Sequence, residues 1–434
     1  MTHRASSTYR LGEWAATDHW FELPLDHADL SRGTTTVYLR ELRELRDAAT
    51  ATDDRPYLLF LQGGPGGVSP RPNGGPEWVS WAVERYRVLL LDQRGTGRSD
   101  RLDPRVIRAL GSPAAQADHL ALFRADSIVQ DAEAIRRELL GDRPWTVLGQ
   151  SFGGFCAFTY LSFAPHGLQE CLLTGGIPPL TVDIDDVYRS TYRAVRRRIG
   201  DLDVAHPETR LRLRDVARHI ATEDERLPSG ERLTVERLQE VGNVLGREDG
   251  PLQLHYLAED AWAGDRLSES FLQEVQGLIG GFRVSPLYAL LHEPCYCDAG
   301  QSARWSAERV RPEFDWVDQA DGPLGLTGEA IYHSTVERCA GLEGLTETAD
   351  RLMAREWERP LYDLDALRRN DVPVAACVYA QDMFVTEELS RATAEVVPQV
   401  RLVVDAEHHH DGLRKHGRSV LDGLRAALDE SRAT

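Results

Sequence analysis

The sequence predicts an α/β fold in which a mostly parallel sheet is flanked by helices and interrupted by a large, mainly helical insertion. Three observations support this prediction. Short runs that are apolar on both faces recur in the N-terminal part of the chain and return near its C-terminus. A segment with helical spacing of its apolar residues separates two of these runs. Between the two groups of runs, the chain is helix-rich and shows no alternation of strands and helices.

The predicted strands follow one another along the chain. Residues 34–43, TTTVYLRELR, alternate in polarity and are rich in β-branched side chains, which favours a strand. The runs LLFL, VLLL and TVLG are apolar on both faces and lead into glycine-containing turns, as strands of a helix-covered sheet do. Between the last two, SIVQDAEAIRREL has the apolar spacing of a helix. LQECLLTGG is predicted as a further strand.

The character of the sequence changes after residue 179. Segments such as LTVERLQEVGNVLG in the stretch 180–368 have helical patterns, whereas VPVAACVYAQDMFV returns to the pattern of a buried strand. QVRLVVDAEHHH then reads as a strand and loop, and RSVLDGLRAALDE as a closing helix. We therefore predict a core built from residues 1–179 and 369–434, with a helical cap domain of residues 180–368 inserted after the sixth core strand.

The composition limits the classes of function. The 434 residues carry a net charge of −19, which disfavours nucleic-acid and anionic-membrane partners and is compatible with a positively charged substrate group. No apolar run approaches the roughly 20 residues of a membrane span, and no signal-like segment opens the chain, so a cytoplasmic protein is expected. Cys295 and Cys297 have no second pair at metal-ligand spacing. We expect neither a metal nor an organic cofactor.

The pentapeptide Gly149-Gln150-Ser151-Phe152-Gly153 fits the pattern G-x-S-x-G. A sharp turn from strand to helix holds such a serine in a strained conformation, and glycines avoid clashes on either side. The hydroxyl then lies at a helix N-terminus, where developing negative charge is stabilised. The sequence therefore predicts that Ser151 is a nucleophile. Taken alone, the pattern also fits an ordinary glycine-rich turn.

A serine nucleophile needs a base and an acid that orients it. Asp382 follows one predicted strand, and the run His408-His409-His410 follows the next, which gives the chain order Ser, Asp, His. The alternatives are a turn or capping role for Asp382 and a solvated loop for most of the histidines. For the oxyanion hole, the candidates are the backbone N–H groups of Gly64, in LQGGPGG, and Phe152.

These motifs together resemble those of the prolyl aminopeptidase (proline iminopeptidase) family of α/β-hydrolase serine peptidases. The resemblance lies in QGGPGG, LDQRGTGRS, GQSFGG, LTGGIPPL, YAQDMFV and HDGLR. It implies that Ser151 is the nucleophile, Asp382 the orienting acid and His410 the base, with His409 as the fallback. The family usually has histidine at the position of Gln62. Asp92, Arg94 and Ser99 of LDQRGTGRS are expected to brace the loops around the site.

The resemblance also implies an enzyme that removes an N-terminal residue, preferably proline, from peptides with a free N-terminus. Such an enzyme must bind a cationic amino group, for which the candidates are Glu293, in an E-x-x-Y motif, and Glu329. In a chain with 69 acidic residues, surface positions are the alternative for both. The aromatic residues Tyr288, Tyr296 and Trp305 could line a proline-sized pocket or belong to the cap core.

Two other functions fit the same fold. An esterase or amidase acting on small acyl compounds would keep the Ser-Asp-His set and differ in the cap. A catalytically inactive binding module would keep only the fold, and the intact Ser, Asp and His argue against it. The sequence does not indicate the residue preference, the accepted peptide length, the physiological substrate or the oligomeric state.

Overall fold

A computed structural model describes residues 1–47, 54–72, 77–319 and 321–433. The strands are β1 (Thr2–Ala5), β2 (Tyr9–Leu11), β3 (Trp14–Pro24), β4 (Thr34–Glu44), β5 (Tyr57–Leu61), β6 (Arg87–Asp92), β7 (Trp145–Gln150), β8 (Leu168–Thr174), β9 (Trp262–Ala263), β10 (Arg266–Leu267), β11 (Val374–Tyr379) and β12 (Val400–Asp405).

The α-helices are α1 (Glu77–Arg85), α2 (Pro104–Ala109), α3 (Pro113–Leu120), α4 (Ala125–Leu140), α5 (Phe152–Phe163), α6 (Ile184–Ala205), α7 (Thr209–Thr222), α8 (Val235–Gln239), α9 (Gly250–Glu259), α10 (Glu269–Ile279), α11 (Pro286–Leu291), α12 (Ser306–Val310), α13 (His333–Arg338), α14 (Thr346–Ala354), α15 (Leu364–Arg368), α16 (Glu387–Val396), α17 (Gly412–Lys415) and α18 (Gly417–Ala433).

Ten of the described strands form one sheet in the order β1-β3-β4-β6-β5-β7-β8-β11-β12, with β2 paired to β3. The strands from β6 to β12 in this order run parallel, whereas the pairs among β1, β3 and β4 and the pair β4–β6 are antiparallel. Helices α4, α5 and α15 pack with the apolar cluster on one face, and α1 and α18 with the cluster on the other. The predicted mostly parallel, helix-flanked sheet is thereby confirmed.

The strands β1 to β3 were not among the sequence predictions. Strand β3 is largely buried yet contains Asp18 and His19, which interrupt its apolar pattern. The Asp18 carboxylate accepts hydrogen bonds from the Tyr38 hydroxyl at 2.6 Å and from Arg40 Nε at 2.9 Å. Because partners on strand β4 and its neighbours satisfy the buried charge, a strand forms where the sequence pattern alone does not indicate one.

The helical insertion follows β8, which is the sixth strand when counting starts at β3, and ends before β11. Its described residues form helices α6 to α15 and the hairpin β9–β10. Helices α6 to α14 contribute to two apolar clusters apart from those of the sheet, whereas α15 packs on α5. It packs on the loops that follow the parallel strands. Leu287 and Tyr288 contact Gly95 and Gly64, which follow β6 and β5. The insertion therefore covers the edge of the sheet where the predicted catalytic residues lie.

None of the described helices has the length and apolar character that a membrane crossing requires.

Candidate active site

Ser151 occupies the turn between strand β7 and helix α5, with φ 54° and ψ −126°. Few non-glycine residues adopt a positive φ, and such strain is characteristic of functional turns. The flanking glycines are sterically required. A β-carbon on Gly153 would lie 1.9 Å from the carbonyl oxygen of Leu61, and one on Gly149 would lie 2.7 Å from that of Gly153. The local geometry is that of a serine held at the start of a helix.

Asp382 lies three residues after the end of strand β11 and is buried. Its Oδ1 atom accepts hydrogen bonds from the backbone N–H groups of Phe384 at 2.8 Å and Val385 at 3.1 Å. Its Oδ2 atom lies 2.7 Å from Nδ1 of His410, which follows strand β12. The carboxylate is thus fixed by two backbone groups and oriented toward one imidazole.

The Asp382–His410 pair lies close to the serine turn. Nε2 of His410 is 3.4 Å from the side-chain amide nitrogen Nε2 of Gln150, the residue before Ser151. A β-carbon on Gly175 would lie 3.1 Å from both Asp382 Oδ2 and His410 Nδ1, and one on Gly176 would lie 2.5 Å from the carbonyl oxygen of Ser151. The loop after β8 therefore touches the serine and the Asp–His pair together, and only small residues fit there.

The neighbouring histidines have other surroundings. Nδ1 of His408 lies 2.7 Å from Asp405 Oδ2, and its ring stacks on that of His416. His409 has a lowered pKa because of its burial and the nearby positive charge of Arg198. Of the three histidines in this loop, His410 is the one paired with Asp382.

The pKa of His410 lies above its ordinary value. Burial lowers it, but the charge of Asp382 and the hydrogen bond to that carboxylate raise it, and the charges of Glu329 and Asp411 raise it further. Negative charges around the ring therefore stabilise the imidazolium that a general base forms when it accepts a proton.

The glycine-rich loop after strand β5 passes beside the serine. A β-carbon on Gly63 would lie 2.7 Å from the Ser151 β-carbon, and one on Gly64, where φ is 59°, would lie 2.9 Å from the ring of Tyr288. Phe152 is the first residue of helix α5, so its N–H has no partner within the helix. The two predicted oxyanion donors thus lie in the loop that adjoins Ser151 and at the helix start that follows it.

The motif DQRGTGRS braces the loops, as predicted. Asp92 accepts hydrogen bonds from the backbone N–H groups of Ser69 and Arg98. The buried Arg94 pairs with Asp131, with Nη2 at 2.6 Å from Oδ1. The Ser99 hydroxyl donates to the backbone carbonyl of Asp92 at 2.6 Å.

The two candidate glutamates of the insertion differ in their surroundings. Glu293 is fully buried, and its two carboxylate oxygens accept hydrogen bonds from the backbone N–H groups of Ser306 at 2.8 Å and Ala307 at 2.9 Å. Burial raises the pKa of Glu293 to about 7, although these two hydrogen bonds lower it. Its carboxylate caps the start of helix α12.

Glu329 instead lies in a polar group with Tyr288 and His292. Its Oε1 accepts a hydrogen bond from the Tyr288 hydroxyl, and its Oε2 lies 3.3 Å from Nε2 of His292. Burial raises the pKa of Glu329, but His292, Tyr288 and the charge of His410 lower it, so the net shift is downward. The side chain keeps 17% of its surface exposed. It is an ionised carboxylate within electrostatic reach of the predicted base.

The three predicted aromatic residues lie in different parts of the insertion. The ring of Tyr288 lies 5.2 Å from that of His292, and the ring of Tyr296 lies 5.8 Å from it. Trp305 points elsewhere, because its indole N–H donates to Asp350 Oδ1 at 3.0 Å. Tyr288 and Tyr296 are therefore close to Glu329, whereas Trp305 belongs to the packing of the insertion.

Sequence reasoning missed three polar side chains near the site. Nδ1 of His292 lies 3.2 Å from the Tyr188 hydroxyl, so His292 links Tyr188 to Glu329. The side chain of Gln150 contacts His410. Gln150 occupies an unspecified position of G-x-S-x-G, and His292 directly precedes the E-x-x-Y motif, so these neighbouring positions were the available signal.

Two cavities lie near the candidate site residues. One of about 300 Å³ lies on the insertion side and is lined by Tyr288, Ser285 and Gly328, the residue before Glu329. The other, of about 290 Å³, is lined by His410 and Gln150 on the side of helix α1. One cavity thus adjoins Tyr288, a partner of Glu329, and the other adjoins His410 and the residue before Ser151.

Comparison with known proteins shows which families the chain resembles. Residues 56–413 match the model of the α/β hydrolase fold family. A proline iminopeptidase from Aeromonas sobria is 44% identical over 94% of this chain and 95% of its own length. The proline iminopeptidase AneH from Aspergillus aculeatus is 32% identical over 100% of this chain and 96% of its own length. A crystal structure of a Mycobacterium smegmatis proline iminopeptidase, 16% identical, gives a TM-score of 0.43 and covers 95% of this chain and 99% of that one.

The fold and the family match define the chain as an α/β hydrolase, a hydrolytic enzyme. Its similarity over nearly the whole chain to the two iminopeptidases is more specific. The chain belongs to the proline iminopeptidase family.

Proposed function

We propose that the protein is a serine aminopeptidase that releases an N-terminal residue, preferably proline, from peptides through an acyl-enzyme. The observation that carries the proposal is the Glu329 carboxylate, which accepts a hydrogen bond from Tyr288, the tyrosine whose ring packs against Gly64 in the loop beside Ser151. A cationic amine bound there would lie close to the nucleophile. The iminopeptidase relatives support the preference for proline.

In the proposed mechanism, His410 accepts the proton of Ser151 while the serine oxygen attacks the first carbonyl carbon of the peptide. The N–H groups of Gly64 and Phe152 stabilise the resulting oxyanion. When the C–N bond breaks, His410 transfers the proton to the leaving amine. Water then attacks the acyl-enzyme, with His410 again accepting a proton. Free proline leaves and Ser151 regains its proton. Asp382 holds the tautomer of His410 throughout.

The substrate amine is proposed to bind to Glu329, with Glu293 as a secondary candidate. A charge-assisted hydrogen bond to the ammonium group contributes roughly 1.5–3 kcal/mol. Glu329 can offer a lone pair that its bonds to Tyr288 and His292 leave available, because a carboxylate accepts about four hydrogen bonds. The two oxygens of Glu293 already accept from backbone groups, which makes Glu329 the primary contact.

The insertion, residues 180–368, is proposed to act as a cap that restricts the site to chain ends. A substrate whose amine is anchored in the cap has its first peptide bond at Ser151, so the distance between anchor and nucleophile selects an aminopeptidase reaction. No metal or organic cofactor takes part. A cytoplasmic location is inferred from the six buried, unpaired cysteines of the chain.

The test compares prolyl arylamide with N-acetylprolyl arylamide on the purified protein. We expect hydrolysis of the first and little of the second, because acetylation removes the cationic group that Glu329 binds. An esterase or amidase of the same fold would be indifferent to the acetyl group. Equal rates on the two substrates would contradict the aminopeptidase proposal.

A further inference from the structure

The cavity beside His410 differs in position from the one beside Tyr288 and Gly328. It lies between the glycine-rich loop, helix α1 and the start of helix α17, and it is lined by His410, Gln150, Gln62, Val68, Trp78 and Arg414. None of these side chains belongs to the insertion. The proposed amine contacts lie on the insertion, so this cavity has a different part of the substrate to bind.

The chemistry of the proposed reaction indicates which part of the substrate this cavity binds. His410 must transfer its proton to the nitrogen of the leaving group, so that nitrogen lies on the His410 side of the scissile bond. His410 and Gln150 both line this cavity, and Nε2 of His410 lies 3.4 Å from the side-chain amide nitrogen of Gln150. The proton-donating atom of the imidazole is therefore near the cavity.

The walls combine apolar and polar groups. Phe60 and Trp78 stack with their ring centroids 4.5 Å apart at one wall, and Val68 and Leu413 add aliphatic surface. The side-chain amide of Gln62 also lines the space and can bond to a peptide group. The volume of about 290 Å³ lies at the lower end of small-molecule sites, roughly 300–1,000 Å³, which suits one residue rather than a long chain.

Arg414 supplies the charge at this cavity. Within the described part of the chain, its exposed guanidinium has no hydrogen bond or ion pair. The other charged lining residue, Asp411, is already engaged, because its Oδ1 accepts from the backbone N–H of Glu248 at 3.2 Å and its Oδ2 lies 3.9 Å from Lys415 Nζ. The cavity thus offers one unneutralised cation in a protein of net charge −19.

We propose that the cavity beside His410 binds the leaving residue and that Arg414 binds the terminal carboxylate of that residue. The preferred substrates are prolyl dipeptides with an apolar second residue and a free C-terminus. This inference rests on the proposed aminopeptidase function. An exposed arginine that pairs with a carboxylate gives a modest gain, so the expected preference is about fivefold.

The experiment measures kcat/KM for prolyl-leucine and for prolyl-leucinamide, which differ only in the carboxylate, and takes their ratio. The wild-type ratio is expected to favour prolyl-leucine about fivefold. Arg414→Gln is expected to bring the ratio close to one, and Arg414→Lys to restore part of the preference. Val68→Glu, which adds a negative charge to the same cavity, is expected to lower the ratio as well.

Arg418→Gln serves as the matched control. It removes the same charge one turn further along the chain, where the guanidinium pairs with Glu84, so the ratio is expected to stay at the wild-type value. A wild-type ratio near one, or an Arg414→Gln ratio equal to that of wild type, overturns the assignment of this cavity while prolyl arylamide cleavage upholds the proposed function. If the wild type cleaves no prolyl substrate, the proposed function fails and this inference fails with it.

Discussion

The edge of the sheet and the helical insertion contribute to the candidate site in different ways. At the edge, Ser151, Asp382 and His410 each follow a parallel strand, and their backbone is held by close glycine contacts and hydrogen bonds. In the insertion, Glu293 and Glu329 belong to short helical turns and loops, and their side-chain partners decide what each can do.

This difference teaches where chemistry and specificity are located. The strand ends bring reactive groups together whatever the substrate, because the carboxyl ends of parallel strands meet at one edge of the sheet. The insertion adds charge beside that edge without contributing to the Ser-Asp-His set. Substitutions at the edge should therefore abolish turnover, whereas substitutions in the insertion should change substrate binding or stability.

The largest effect is expected for Ser151→Ala at the edge. Loss of the nucleophile should lower kcat by roughly 10⁴- to 10⁶-fold, as in other serine peptidases. The measurement is steady-state hydrolysis of prolyl arylamide. Ser162→Ala is the control, since this serine lies on the same helix and its hydroxyl donates to the carbonyl of Phe158. Residual activity of Ser151→Ala near that of the wild type would remove Ser151 from the mechanism.

Asp382→Asn tests the orienting acid and should lower kcat by about 10³- to 10⁴-fold, because an amide neither fixes the tautomer of His410 nor stabilises its cation. The chain offers a close control. Asp405 lies 2.7 Å from Nδ1 of His408 and accepts two backbone N–H groups, as Asp382 does. Asp405→Asn should keep most activity. Equal losses in the two variants would contradict the assignment of His410 as the catalytic base.

The sequence predicted the edge far better than the insertion. A strand ending, a glycine-flanked serine and the chain order Ser, Asp, His are local patterns, and the backbone geometry they require leaves few alternatives. The neighbours of a carboxylate in the insertion depend on how distant helices pack. Glu293 and the residues it caps are 13 and 14 positions apart. No local pattern distinguishes such a helix-capping glutamate from Glu329, which binds Tyr288 and His292.

Glu329→Gln should weaken the binding of the substrate amine. With the charge-assisted hydrogen bond lost, kcat/KM for prolyl arylamide should fall by roughly 10- to 100-fold, mainly through KM. The same variant should show little change on a substrate without an amino group. A loss confined to kcat, with KM unchanged, would assign Glu329 to the catalytic step. It would contradict the view that the insertion acts on substrate binding alone.

Glu293→Gln should act on stability more than on substrate binding. The amide keeps one acceptor for Ser306 and Ala307 and leaves one buried N–H without a partner, at a cost of about 1–3 kcal/mol in the free energy of unfolding. Thermal unfolding of the wild type and the variant measures this loss of stability. Because the folded pKa of Glu293 is raised to about 7, its protonated form favours the native state. This contribution to stability is fully present below about pH 4.5 and is lost as the pH rises through about 7, and the glutamine variant should lack that dependence.

The smallest effect expected is a shift in the pH profile of Glu329→Gln. The base must be neutral to accept a proton, so kcat/KM should rise with pH through the pKa of His410, which lies above its ordinary value of 6.5. Removing the negative charge of Glu329 removes one of the effects that raise this pKa, so the acidic limb should move to lower pH, by less than about one unit. Glu293 titrates in the same range, with a pKa of about 7. If Glu293→Gln shifts the acidic limb of the kcat/KM profile and Glu329→Gln does not, the limb reflects the titration of Glu293. The insertion would then influence the catalytic residues through Glu293 and not through Glu329.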